Sequence, residues 1–303
     1  MMNRYTKAGG ACLVALVLLA ACGKTSYKKT PGGMPYQVFR SKDSQQVRIG
    51  NFIKISLTQK VNDSILFQTT HGMPVYLYVG STEGRSYDIA ELWPLLHLGD
   101  SVVATQMIDT FLKRNPDNFP KVFKKGDRVL TYLKVLGIFA NDSLARADET
   151  LIKDRIMKEE IAELEKYAAD KKISVQKTPS GALIEIIQEG TGNRPDTGSY
   201  VTVNYTGQTL AGQKFDSNTD SAFGHVQPYS FAAGTGQMIK GFDEAVMMMQ
   251  KGTRVRVYIP SMLGYGQNGN PPRIQPFEKL LFDLELLDIK DKAPEEAPVF
   301  PSH

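Results

Sequence analysis

Y-V-T-V-N-Y-T-G-Q-T-L-A-G-Q-K-F-D-S, residues 200–217, is the stretch that decides the fold. Its first six residues alternate, so Val201, Val203 and Tyr205 share one face of a strand. The same period recurs twice downstream. Val255, Val257 and Ile259 point one way in Arg254 to Ile259, and Leu280, Phe282, Leu284 and Leu286 share a face in Leu280 to Leu286. Between these runs, Gly241 to Gln250 spaces Phe242, Ala245, Val246 and Met249 along one side of a short helix. An antiparallel sheet covered on one face by one helix follows from the pattern.

Working outward, the region from about Val47 to Phe139 is also strand-rich, with turn signals at Asn62-Asp63 and Lys125-Gly126-Asp127. Laying residues 52–67 under 200–215 at a constant offset of 148 keeps the hydrophobic parity throughout. Lys251 to Val255 lies over Leu98 to Val102 at a slightly different offset. The first half thus reads as a second copy of the same fold. In this ungapped alignment Tyr205 falls on Leu57, Asp216 on Gln68 and Phe215 on Phe67, so the first copy loses its polar rim. No catalytic site is expected there, and Trp93 is expected in its core.

Between the copies, Asn141 to Lys172 lacks Gly and Pro and carries Leu144, Leu151, Ile152, Ile156, Ile161, Leu164 and Tyr167 at roughly helical spacing. Asn141 or Asp142 can cap it. It is expected as a helical connector with its apolar stripe packed on one domain. The predicted fold class is α+β: two similar domains, each an antiparallel β-sheet wrapped on a short helix, joined by a long helical linker.

At this point a family can be identified. V-N-Y-T-G at 203–207 followed by G-Q-K-F-D-S at 212–217 resembles the signature of FKBP-type peptidyl-prolyl cis-trans isomerases. Gln237 to Phe242 with Met249 to Gly252, Ile259-Pro260 to Tyr265-Gly266, and Leu281 to Leu287 resemble the remaining elements of that family, in order, over about a hundred residues. The resemblance implies a catalytic set of Tyr205, Phe215, Asp216, Tyr265 and Phe282. It implies that Tyr229, Phe231, Met238, Ile239, Phe242 and Ile274 bind substrate around a prolyl ring. The Ile239 N–H and the Tyr265 hydroxyl would hold peptide carbonyls. Neither cofactor nor metal is implied, because turning an X–Pro bond needs no nucleophile. Taken singly, each aromatic would read as core, and only their joint order says otherwise.

Departures from the family pattern are specific. Phe242 stands where many members carry Trp, and Arg273 replaces an apolar residue. The loop from Ser217 to Gln227 is longer than in minimal members, so the polar partner of Asp216 is unassigned. Gly266 to Pro276 leaves no room for an inserted chaperone flap. The implied activity is prolyl isomerisation on proline-containing polypeptide clients. The alternative is a non-catalytic peptide-binding or scaffold lipoprotein.

The N-terminus adds an address. Arg4 and Lys7 precede an apolar run, Ala11 to Ala21, too short to span a bilayer and read as a signal peptide over residues 1–21. Leu19-Ala20-Ala21-Cys22-Gly23 resembles the bacterial lipobox, which makes Cys22 the expected acylation site. The other cysteine, Cys12, lies in the leader, so no disulfide is expected. The expected organisation is 1–21 signal, 22–46 acylated cysteine and flexible tether, 47–140 degenerate domain, 141–174 linker, 175–290 catalytic domain and 291–303 disordered tail. The expected location is the bacterial envelope, lipid-anchored to a membrane (outer, facing the periplasm), with a role in folding exported proteins.

Composition excludes other classes. Without Arg4 and Lys7 the 36 basic residues fall to 34 against 32 acidic, near balance, with no basic patch for nucleic acid. Asp216-x-Asn218-x-Asp220 imitates a calcium loop, but Ser221 and Gln227 occupy its glycine and glutamate positions. Gly234-x-Gly236 lacks the third glycine of a dinucleotide loop. His71, His97, His225 and His303 have no zinc spacing.

Overall fold

The computed structural model describes residues 27–70, 72–114 and 123–291. The leader, Cys22, His71 and the tail from residue 292 lie outside the described residues.

Seven described strands form the first sheet: β1 (Lys28–Lys29), β2 (Pro35–Phe39), β3 (Phe52–Val61), β4 (Ser64–Gln68), β5 (Val75–Tyr78), β6 (Ser101–Met107) and β7 (Arg128–Phe139). A short helix α1 (Ile108–Arg114) follows β6, and the long helix α2 (Asp142–Asp170) follows β7. The second sheet holds β8 (Gln176–Lys177), β9 (Leu183–Gln188), β10 (Tyr200–Thr209), β11 (Lys214–Ser217), β12 (Tyr229–Ala232), β13 (Arg254–Ile259) and β14 (Leu280–Lys290). Helix α3 (Lys240–Met247) lies between β12 and β13.

The strand orders are β1-β2-β6-β7-β3-β4 with β5 on β3, and β8-β9-β13-β14-β10-β11 with β12 on β10. These are the same path, so each strand of one sheet has a counterpart in the other. Both sheets are antiparallel throughout. Core formation follows the alternation read from sequence: Val201, Val203, Val257, Ile259, Leu280 and Leu286 are all fully buried. α3 lays Phe242, Ala245 and Val246 on that face, and a Cβ on Gly241 would lie 2.5 Å from Ile259. In the first unit a 3-10 segment, Ile89–Leu95, takes the place of α3, and it buries Leu92 and Trp93 in the core.

Two expectations need correction. Residues 22–46 are not a tether throughout, because β1 and β2 belong to the first sheet and Met34 and Tyr36 are buried in its core. The counterpart of the turn before β9 explains this. K-T-P-S-G at 177–181 and K-T-P-G-G at 29–33 make the same hydrogen bonds. The Thr30 amide donates to Met34 O and its hydroxyl accepts from the Met34 amide, as Thr178 does with Ala182. A glutamate from the covering helix pins each turn: Glu91 accepts from Gly32 N–H at 2.7 Å, and Glu244 from Ser180 N–H at 3.0 Å.

The second correction concerns the repeat. Both first hairpins carry a bulge at the same place, after Gln59 and after Gly207. Beyond it Gln59 faces Phe67, whereas Gly207 faces Asp216. Phe67 is therefore the counterpart of Asp216, and Leu66 that of Phe215. The ungapped alignment slips by one because Asn62-Asp63 turns directly between paired Val61 and Ser64, with Asn62 left-handed at φ 52°. The other hairpin spends Leu210, Ala211 and Gly212 on its turn.

Helix α2 begins at its cap Asn141, whose side chain accepts from Leu144 N–H. Its buried Ile156, Glu160, Leu164 and Ala168 recur every fourth residue, one stripe down one face. Leu164 packs with Leu183, Tyr258 and Leu281 on the back of the second sheet. The stripe does more than seat the helix on one domain. Ile156 also joins Met73 of the first unit to Phe277 of the second, and Lys54 pairs with Asp148 at 2.8 Å.

Candidate active site

Gly207 sits mid-strand with Phe282 opposite on β14 and Asp216 opposite on β11. Having no side chain, it leaves room for two rings. Phe215 and Phe282 meet edge to face with centroids 5.5 Å apart, and Phe282 is perpendicular to Phe242 at 5.3 Å. Phe231 stands edge to face with Phe242 at 5.9 Å. Such contacts suit the aromatic quadrupole. Phe215, Phe231, Phe242, Ile274 and Phe282 are all buried. Tyr205, Tyr229, Met238, Ile239 and Tyr265 pack against them half-buried. The result is an apolar floor with a partly open rim.

Asp216 stands at that rim. Its carboxylate accepts from the Tyr205 hydroxyl at 2.8 Å and from Ser217 N–H at 2.9 Å. Burial, then the Asp216 carboxylate, pushes the Tyr205 hydroxyl well above the usual tyrosine range, so it stays a neutral donor. Burial and Asp216 also raise Tyr265. The Tyr265 hydroxyl and the Ile239 N–H have no acceptor within the chain among the described residues.

All eleven residues expected from sequence thus come together, ten in one cluster and Asp216 bonded to Tyr205. The structure adds three that sequence reading missed. His225 is the polar partner left unassigned, with Nε2 3.1 Å from Asp216 and Nδ1 2.9 Å from Phe223 O. Both ring nitrogens thus face oxygens of the loop and rim. Buried Asn218 accepts from Tyr205 N–H and donates to Val203 O and Gln227 O, fastening the long loop to β10. Arg273 donates to Phe215 O at 3.0 Å. Arg273 stood out only as a departure from the family pattern, and His225 and Asn218 had no sequence signal, since a loop partner is set by how the loop folds back. A recess of about 300 Å³ beside the rim is bounded by Tyr205, His225 and Tyr229.

Support for the site comes from behind. Asp243 on α3 accepts from Gly234 N–H and Gly236 N–H, which fixes the segment leading to Met238 and Ile239. Glu160 of α2 accepts from Ser261 N–H at 2.7 Å and from its hydroxyl at 2.8 Å, steadying the turn before Tyr265. Burial outweighs those bonds and raises the Glu160 carboxyl.

An antiparallel sheet wrapped on one short helix is the fold of the FKBP class of prolyl isomerases. The family model and the sequence relatives agree. Residues 192–287 match the family model for FKBP-type peptidyl-prolyl cis-trans isomerase. An FK506-binding protein of Neisseria meningitidis is 41% identical over 109 residues, which is 36% of this chain and 96% of that protein. A peptidyl-prolyl cis-trans isomerase of Schizosaccharomyces pombe is 40% identical over 113 residues, covering 37% and 97%. The crystal structure of a peptidyl-prolyl cis-trans isomerase from Pseudomonas syringae is 29% identical, covers 45% of this chain and 95% of its own, and superposes with a TM-score of 0.37. The chain belongs to the FKBP-type peptidyl-prolyl cis-trans isomerase family.

Proposed function

We propose that the second unit turns X–Pro bonds of exported polypeptides in the aromatic basin around Phe242, held near a membrane by acylated Cys22. The X–Pro bond has a cis–trans preference of only about 0.5–1 kcal/mol but a barrier of roughly 18–20 kcal/mol, because resonance resists twisting. Catalysis then means fitting the twisted amide better than either planar form. Phe242, Phe231 and Phe282 receive the prolyl ring and exclude water from one side of the bond. The Ile239 N–H and Tyr265 hydroxyl bind the flanking carbonyls, while Asp216 and Tyr205 shape the rim where the twisting carbonyl lies. No covalent step or cofactor is needed.

The observation that carries this reading is the pairing of a buried aromatic floor with two donors, on Ile239 and Tyr265, that find no acceptor among the described residues. In the first unit Leu57 and Phe67 stand where Tyr205 and Asp216 stand, so it contributes no turnover. A cis-to-trans rate assay on a short X–Pro peptide tests the reading, with the chain and its Asp216→Ala and Phe282→Ala variants. Acceleration by the wild type that drops in both variants supports it. Equal rates in folded variants place the site elsewhere. Mass spectrometry of the mature N-terminus tests the anchor, which an unmodified peptide starting at another residue overturns.

A further inference from the structure

Between the units lies a second hollow, a groove of about 760 Å³, within the range of ligand sites. One wall is β4 and the residues after it. The other is the segment Gln267, Asn268, Gln275 and Pro276 of the second unit. Met73 and Phe277 line its floor and pack on buried Ile156 beneath it.

Three features say what it holds. First, four consecutive residues, Ile65 to Gln68, line it. The bulge at Leu66 breaks the strict alternation of faces there, and the groove follows this outer strand from Ile65 to Gln68. β4 pairs with β3 alone and ends the sheet, leaving that edge for an added strand. Second, the wall is apolar and open: Ile65, Leu66 and Phe67 are 59%, 51% and 43% exposed. Glu149 is the one charged side chain lining the groove among the described residues, and Lys153 pairs with it at 2.7 Å. Third, the register places Leu66, Phe67 and Val75 where the catalytic unit has Phe215, Asp216 and Tyr229. The groove reuses the substrate face of the fold with its acid replaced by an aromatic ring. Its far wall, Gln267, Asn268, Gln275 and Pro276, belongs to the same chain segment as Tyr265 and Ile274 of the prolyl site.

We infer that this groove is a second client site, taking an extended, uncharged, apolar stretch of non-native polypeptide as a strand along β4. The inference rests on the prolyl-isomerase reading for its client class: one unfolded chain occupies both sites, and the groove holds it independently of proline.

The test uses the full chain and a fluorescein-labelled dodecapeptide of alternating valine and serine without proline, read by fluorescence anisotropy. Phe67→Asp puts a charge on the β4 wall, and Gln267→Glu puts one on the opposite wall. The wild type is expected to bind, with Phe67→Asp at least ~10-fold weaker and its turnover of an X–Pro tetrapeptide unchanged. If Phe67→Asp fails to fold, Gln267→Glu decides by the same drop in affinity. Absence of binding by the wild type, or undiminished binding by the folded variants, overturns the inference. So does a wild-type dimer in sedimentation that Phe67→Asp dissolves, which would assign the groove to a second copy. Loss of tetrapeptide turnover in the wild type would sink the catalytic reading alone and leave the binding result standing.

Discussion

Replacing Gly207 by alanine tests how the site is built. A Cβ there would lie 2.5 Å from Phe215 Cε2, 2.7 Å from its Cζ and 2.8 Å from Phe282 Cε1. Carbon atoms rest at about 3.5–4.0 Å, so one ring must retreat by roughly an ångström. Both rings are 4% exposed and backed by core, which leaves the prolyl basin as the way out. Overpacking of this kind costs about 1–3 kcal/mol of stability. Filling the basin lowers kcat/KM by roughly 10- to 100-fold, equivalent to about 1.4–2.7 kcal/mol of barrier. The first unit supplies a compensating change: it carries Gln59 at this position and Leu66 in place of Phe215. Gly207→Ala with Phe215→Leu should therefore regain at least half of the lost stability while remaining poorly active. Urea unfolding by circular dichroism reads the loss. Fluorescence of Trp93, the sole tryptophan and buried in the first core, serves as the internal control. Wild-type activity and stability in Gly207→Ala, or no recovery on adding Phe215→Leu, would refute the argument.

Glu160→Ala strands the Ser261 amide and hydroxyl and should cost about 1–3 kcal/mol, measured in urea. Burial raises the Glu160 carboxyl in the folded state, so its stabilisation is full below the unfolded value and lost as pH rises through the folded one. The gap between wild type and Glu160→Ala should thus be wider at pH 4 than at pH 7. Tyr205 and Tyr258, both raised by burial and then by Asp216 and Glu185, keep their protons where the unfolded chain sheds them. Stability should fall as pH climbs above about 10, and urea midpoints of Tyr258→Phe should fall less steeply. His225→Ala removes a polar contact with Asp216 whose partners are half exposed, so kcat/KM on a short X–Pro peptide should drop by no more than about 5-fold.

The period-two runs in 200–205, 254–259 and 280–286 determined the second sheet, because only one face of each strand can be buried and a slip of one residue would turn it to water. The order of the aromatics around Gly207 located the candidate site, and the turn Lys177-Thr178-Pro179-Ser180-Gly181 had its double in 29–33 before any coordinate. Alone, a Gly- and Pro-rich stretch reads as linker until its strand partner is known. β2 earns its place only by pairing with β6, some sixty residues away. Turn length likewise escaped the linear alignment: one fewer residue at Asn62-Asp63 moved Phe67 onto the position of Asp216, and pairing register alone reveals it. Three things were decided by tertiary structure: His225 against Asp216, Glu160 beneath Ser261, and a groove between β4 and the 267–277 segment. Each joins groups whose separation along the chain is set by how loops and α2 fold back, and no local periodicity encodes that distance.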